Sequence, residues 1–363
     1  MMDITALARP EIRSMRPYVS ARSSMSAQGI LLNANEAPET LLEGPDHKSY
    51  PLHRYPPPQP PELRARLAAL YGVPESRLLI TRGSDEGIDL LVRVFCRAGK
   101  DAILECTPCF GMYRIAAGIQ DAVVLAVPRK SERNFEIDTD AVCRMIETDP
   151  RVRLVFLTSP NNPTGDCLPA GDLDRVLESS RDRALVILDE AYIEFCEQRS
   201  AANRVQDHPN LVVLRTLSKA WAGAGLRCGS VIADPQVIDL LARIMAPYPL
   251  ASPAIAAAMR VTDASMRPRQ QAMIQGVMSR KQGLVSILED QRWVQAVWPG
   301  EANFVLARVD DPDDIVARCD HANIRIRNFD GQPMLNGCIR FSIGSESEMQ
   351  LLMDTLQNTG ACS

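Results

Sequence analysis

"NLVVLRTLSKAWAGAGLRCGSVIAD", residues 210–234, sets a β-branched apolar run against one lysine, a glycine-rich stretch, an arginine and a second apolar run. Both runs have the length and composition of strands, so Lys219 stands just past a strand end. The glycines almost spell a dinucleotide-binding fingerprint. Gly223 and Gly225 are in place, but Cys228 stands where the third glycine belongs, and the run leads into a strand instead of opening a helix. The small residues instead leave room for backbone close to something bulky. The lysine is either a solvated surface charge or a reacting amine.

The same alternation extends from about residue 78 to 245. "RLLITRG" is followed by the amphipathic "SDEGIDLLVRVFCR", "DAILEC" by "FGMYRIAAG", and "AVVLAVP" by "DTDAVCRMIE"; then come "RLVFLTSP", "GDLDRVLESS" and "ALVILDEAY". Short β-branched runs alternating with apolar residues at three-and-four spacing predict an α/β fold, with a mostly parallel sheet flanked by helices. Ligands of such sheets bind beyond the carboxyl ends of the strands. After "MAPYPLAS" a long helical stretch through residues 255–290 leads to "WVQAVWPG", "NFVLARV", "IRIRNF" and "CIRFSIG", a smaller α+β unit. The expected division is residues 1–48 as an N-terminal arm and part of the small domain, 49–255 as the large domain, and 256–363 as the small domain. "YPPPQPP", residues 55–61, reads as a stiff connector or a polyproline ligand.

The chain has 363 residues, 46% apolar and 23% charged, with a formal net charge of -5. It carries no basic stripe for a nucleic-acid partner and no apolar run near the roughly eighteen residues of a membrane span. A small-molecule partner and a cytoplasmic address are the expectation. The ten cysteines are scattered through apolar stretches, as reduced core thiols are. Cys106 and Cys109, in "CTPC", have redox-motif spacing but lack a second pair for zinc.

Several polar residues fall where strands stop. "RGSDEG", residues 82–87, closes a strand on glycine and opens a helix near Ser84, whose free N–H groups suit a phosphate. A serine cap followed by helix-favouring acids explains it equally well, and Asp85 and Glu86 oppose an anion unless their side chains point away. "SPNNPTG", residues 159–165, holds Asn162 before a proline. "ALVIL" runs into Asp189, Glu190 and Tyr192, and a carboxylate at a core strand end needs a cation. A reacting amine, a strand-end carboxylate, a phosphate-capable loop and an arginine eight residues beyond the lysine together suit pyridoxal 5'-phosphate.

These motifs, with "PYVSAR", "LNANE", "RYP", "APYPL" and "GCIRFSIG" in order, make the chain resemble the fold-type-I pyridoxal-phosphate aminotransferases over nearly its whole length, and within them the histidinol-phosphate branch. The resemblance implies that Lys219 is the Schiff-base lysine and Asp189 the partner of the pyridine nitrogen. It implies further that Asn162 and Tyr192 bond the ring oxygen, and that Ser84, Asp85, Ser218 and Arg227 hold the phosphate. Phe110 lies against the ring where a related sequence carries tyrosine. Tyr55 reaches the phosphate of a neighbouring subunit, which implies a homodimer. Arg340 and Arg327 bind substrate anions, with Tyr18 and Asn35 near them. The implied reaction exchanges an amino group between glutamate and imidazole acetol phosphate in histidine biosynthesis. An aromatic aminotransferase and a threonine-phosphate decarboxylase share every cofactor residue. A cofactor-sensing transcriptional regulator would need a winged-helix segment, and about thirty residues before "LNANE" are too few.

Overall fold

The computed structural model describes residues 3–16, 34–37, 39 and 52–357. A short helix α1 (Pro10–Ser14) precedes α2 (Pro61–Tyr71), and the alternation then runs β1 (Leu78–Thr81), α3 (Gly83–Phe95), β2 (Ala102–Thr107), α4 (Met112–Ile119), β3 (Val123–Pro128), α5 (Thr139–Thr148), β4 (Val152–Thr158), α6 (Ala170–Ser179), β5 (Leu185–Asp189), β6 (Leu211–Thr216), β7 (Gly229–Ile232) and α7 (Pro235–Ile244). Seven strands form one sheet in the order β1-β7-β6-β5-β4-β2-β3. Strands β2 to β6 pair in parallel, and β7 runs antiparallel to both β6 and β1. The sheet is therefore mostly parallel, as its β-α texture requires.

Helices cover both faces, which is why β5 and β6 are buried at every position and read as unbroken apolar runs. Side chains alternate between the faces with the two-residue period of a strand. Val186, Leu188 and Val213 join the layer that holds Leu63, Val142 and Leu173, whereas Ile187, Val212 and Leu214 join the layer of Ile88, Tyr113 and Leu241. Ile4, Ala8 and Ile12 are buried in that second layer too, and the Arg9 N–H donates to Val94 O at 3.0 Å. Residues 3–16 thus pack on the large domain.

The long helical stretch expected over 255–290 is two helices, α8 (Ser252–Val261) and α9 (Arg267–Glu289). Thr262 closes the first, and the Asp263 carboxylate accepts from Ser265 N–H at 3.0 Å and Ser265 Oγ at 2.7 Å. Pro268, which has no N–H to continue a helix, sits in the first turn of the second. Beyond it lie β8 (Val294–Trp298), β9 (Phe304–Val309), α10 (Pro312–His321), β10 (Arg327–Asn328), β11 (Cys338–Ser342) and α11 (Glu346–Gln357), with an antiparallel sheet in the order β10-β11-β9-β8. The two domains meet where Gly165 (φ 80°) faces Gly300 (φ 54°): Glu301 N–H donates to Gly165 O at 2.7 Å, and a Cβ on Gly165 would lie 2.9 Å from Gly300 Cα. No described helix is long and apolar enough to cross a membrane.

Candidate active site

A cleft of about 630 Å³ opens at the carboxyl ends of β4, β5 and β6 and at the start of α3, with residues of the small domain closing its far side. Ser84, Asp85, Phe110, Asn162, Asp189, Tyr192, Ser218, Lys219, Arg227, Arg327 and Arg340 all line it. Parallel strands put their carboxyl ends on one edge, which is how residues scattered over most of the chain converge.

Asp189 ends β5 and is 3% exposed. Its carboxylate accepts from Tyr113 OH at 2.9 Å and from the Ala191 N–H at 3.1 Å, and no cation bridges it among the described residues. Burial pushes its pKa up to about 6 although those two hydrogen bonds pull downward. Tyr113 and Thr158 were not expected in the site. The Tyr113 hydroxyl lies 2.8 Å from Thr158 Oγ1, and its ring stacks on Phe156 with centroids 4.5 Å apart.

The start of α3 has no side-chain cap, which overturns the reading of Ser84 as a plain serine cap. The helix begins one residue earlier, at Gly83, and Ser84 Oγ is buried without a hydrogen-bond partner. The acidic neighbours are neutralised. Glu86 turns back to accept from the Arg82 N–H at 2.6 Å and from Arg82 Nε at 2.9 Å, and Asp85 meets Arg227 Nη2 at 3.1 Å. Arg227 also donates to Ala224 O at 3.1 Å and stands 3.4 Å from Ser218 Oγ. Gly83, at φ 74°, is required here: a Cβ would sit 2.6 Å from Arg227 Nη2. An orphan hydroxyl, a helix start and a guanidinium together form an anion pocket.

Lys219 extends from the loop after β6, with Nζ 5.4 Å from the Tyr192 ring centroid. Burial, and after it the positive charge of Arg340, holds its amine below the ordinary lysine range, against the pull of Asp189 and Asp85. A depressed lysine, a buried unpaired carboxyl and an anion pocket thus share one cleft.

Comparison with known proteins decides what family builds such a cleft. Residues 27–356 match the family model for aminotransferase class I and II. The chain belongs to that family. The aminotransferase is 38% identical to histidinol-phosphate aminotransferases from Cronobacter sakazakii (98% of this chain, 97% of the relative) and Yersinia pestis (98% and 91%). Its fold matches that of the histidinol-phosphate aminotransferase from Sinorhizobium meliloti, solved in complex with pyridoxal-5'-phosphate, with a TM-score of 0.76 at 24% identity over 84% of this chain and 82% of that one.

At the other side of the aminotransferase cleft, Arg340 on β11 donates to Asn162 Oδ1, spanning the two domains. Its guanidinium lies 5.1 Å from the Phe304 ring centroid and 5.6 Å from that of Phe329, and its Nε is buried without a partner. Arg327 pairs with Arg340 across the β10–β11 ladder and lies 5.5 Å from the Phe329 ring. Burial above all, with the charge of Arg327 adding to it, holds Arg340 below the usual arginine range. Burial likewise pushes the Tyr192 phenol up to about 12. Phe110 meets Tyr113 edge-on at 5.8 Å.

Tyr55 and Asn35 are not among the residues that line this cleft, and Tyr55 is expected at a neighbouring subunit's site instead. Tyr55 is half-exposed and stacks on Tyr248 at 4.4 Å, and its N–H donates to Glu36 at 2.7 Å. Asn35 is exposed at φ 54°, away from the cleft lining. Tyr18 lies outside the described residues. Of the "CTPC" pair, Cys106 is buried with its thiol pushed up to about 11, and burial also raises Cys109, whose sulfur lies 3.7 Å from Glu105. Gly83, Thr158 and Tyr113 were missed. Thr158 carried the one available signal, a polar residue at a strand end.

Proposed function

We propose that this aminotransferase exchanges an amino group between L-histidinol phosphate plus 2-oxoglutarate and imidazole acetol phosphate plus L-glutamate, as a cytoplasmic enzyme of L-histidine biosynthesis, with pyridoxal 5'-phosphate as cofactor. The relatives that share 38% of its residues over nearly its full length carry that activity in their names. The observation that carries the cofactor reading is a set of unmet demands in one cleft. Ser84 Oγ is buried without a partner beside Arg227, and Asp189 is buried without a cation on the same cleft wall as Lys219.

The residues fit the group. Asp189 would pair with its protonated ring nitrogen, and the cation would in turn draw the carboxyl pKa back down from about 6. Ser84, Ser218, Arg227 and the free N–H groups of α3 would hold its phosphate, with Asp85 keeping Arg227 in place through their ion pair. Asn162 and Tyr192 would bond the ring oxygen, and Phe110 would cover the ring. Pyridoxal phosphate held there beside Lys219 would supply a carbonyl carbon that takes up amino groups and a cationic ring that draws electrons from the substrate.

The chain's own part is proton transfer and grip. Lys219 Nζ, its pKa lowered by burial and by Arg340, would take the proton from the substrate α-carbon. Arg340 and Arg327 present planar forks to the anionic end of the substrate. A fork that suits carboxylate and phosphate alike serves an enzyme whose two substrates end in one or the other. The same reading makes the enzyme a homodimer in which Tyr55 reaches a neighbouring subunit's phosphate site; a monomer in sedimentation would reject it.

The test is glutamate release from 2-oxoglutarate with L-histidinol phosphate as donor, run beside phenylalanine as donor and beside carbon dioxide release from threonine phosphate. Turnover of phenylalanine or threonine phosphate with none of histidinol phosphate rejects the substrate. Normal turnover by Lys219→Ala rejects the catalytic assignment.

A further inference from the structure

Cys167 and Cys196 come from two loops 29 residues apart in sequence, yet their sulfurs lie 3.1 Å from each other, about 1 Å beyond the ~2.05 Å of a disulfide bond. Both are free and only partly covered. A side-chain hydrogen bond already ties the two loops together. Gln198 Nε2 donates to Leu168 O at 2.8 Å, so the segment after Cys196 is tied to the segment after Cys167, and the Gln198 N–H points at Cys196 Sγ from 3.2 Å. Little loop movement separates this arrangement from a covalent bond.

The two thiols are unequal. The hydrogen bond shared with Cys167, and after it the Gln198 N–H that only Cys196 accepts, hold the Cys196 pKa below that of an ordinary cysteine against the effect of burial, while Cys167 is raised. A stabilised thiolate touching a protonated thiol is the pairing of an attacking and a resolving cysteine. The position matters as well. Cys167 follows Asn162 by five residues and Gly165, at the domain seam, by two; Cys196 follows Tyr192 by four. Both loops therefore carry cleft residues.

We propose that Cys167 and Cys196 are an oxidation site, at which a hydroperoxide forms a reversible disulfide that clasps the loop of Asn162 to the loop of Tyr192. The Cys196 thiolate attacks the terminal oxygen of the peroxide. An S–O bond forms, the O–O bond breaks, and with hydrogen peroxide hydroxide leaves. Cys167 sulfur then attacks the resulting sulfenic sulfur, the S–O bond breaks, and the thiol proton leaves with the oxygen as water. Two thiols have lost two electrons and the peroxide has gained them. A small dithiol reverses the bond by exchange.

The experiment treats the holoenzyme with hydrogen peroxide, blocks remaining thiols with iodoacetamide, and maps tryptic peptides by mass spectrometry without reduction. Residues 154–175 and 184–199 each carry a single cysteine, Cys167 and Cys196 respectively. The expected result is one cross-linked species joining these two peptides, with two of the ten thiols lost together. It disappears on dithiothreitol treatment and in Cys196→Ser, and persists in a Cys106→Ser/Cys109→Ser double variant. Recovery of the two peptides uncrosslinked after peroxide, each with an alkylated or over-oxidised cysteine, overturns the proposal. A cross-link from either cysteine to a third one overturns it equally, and this wild-type measurement decides even where a variant fails to fold.

Discussion

Tyr113→Phe isolates one hydrogen bond under the buried carboxylate. Tyr113 is fully buried, and its ring stacks on Phe156 with planes 13° apart, a contact that phenylalanine keeps. What goes is the hydroxyl that donates to Asp189, and burial together with the nearby Asp189 charge raises its own pKa well above the tyrosine range, so it is a donor at every working pH. A hydrogen bond to a charged group is worth ~1.5–3 kcal/mol, and ~1.4 kcal/mol moves a pKa by one unit. The variant therefore raises Asp189 from about 6 by roughly one to two units, and the ionised share at pH 7 falls about two- to tenfold. The assay is pyridoxal-phosphate binding by the apoenzyme, followed by absorbance from pH 5 to 9. The expected curve gains affinity as the carboxyl ionises, with its acid limb displaced upward in the variant and the two proteins converging at high pH. The linked sign for stability is the opposite. A folded pKa above the unfolded value means that the folded chain holds the extra proton, so the Asp189 contribution to apoenzyme stability is lost as pH rises from about 4 to 6, and in the variant this window extends higher. A loss of affinity by the same factor at every pH, or none at pH 7, refutes the reasoning.

Three other substitutions probe separate parts of the molecule. Gly83→Ala puts a Cβ 2.6 Å from Arg227 Nη2 at a φ of 74° and displaces the guanidinium; cofactor affinity falls roughly tenfold or more, the loss of one charge-assisted contact, and titration of the apoenzyme measures it. Arg340→Gln removes the largest nearby charge holding the Lys219 amine down, so the acid limb of the pH–rate profile moves to higher pH and KM rises for both substrates; an unmoved limb contradicts the coupling. Arg215 is buried between Glu194 at 2.6 Å and Glu190 at 3.5 Å, with the Tyr71 ring 4.7 Å away, so Arg215→Ala leaves two carboxylates unpaired and costs about 3–5 kcal/mol, read as a lower urea midpoint.

The alternation of strands and helices was legible in the sequence because it is a local property: three-and-four spacing and β-branched runs act within ten residues of themselves. Lys219, Asp189, Asn162 and Arg227 stood out for a related reason, as polar residues at or beyond the ends of apolar strands, and all four line one cleft. The break between Val261 and Arg267 was written there too, in Asp263 and Pro268, but the apolar spacing on either side ran through it. Tertiary structure alone decided what those residues touch. Tyr113 meets Asp189 across 76 positions, Arg227 meets Asp85 across 142, and Arg340 meets Asn162 across 178. No spacing encodes such pairs, because each depends on which strands become neighbours in the sheet and how the small domain settles against it. The cysteines make the contrast plainly. Cys106 and Cys109 had the motif, but burial raises both thiols, whereas two loops converging beside the domain seam brought together Cys167 and Cys196, which had none.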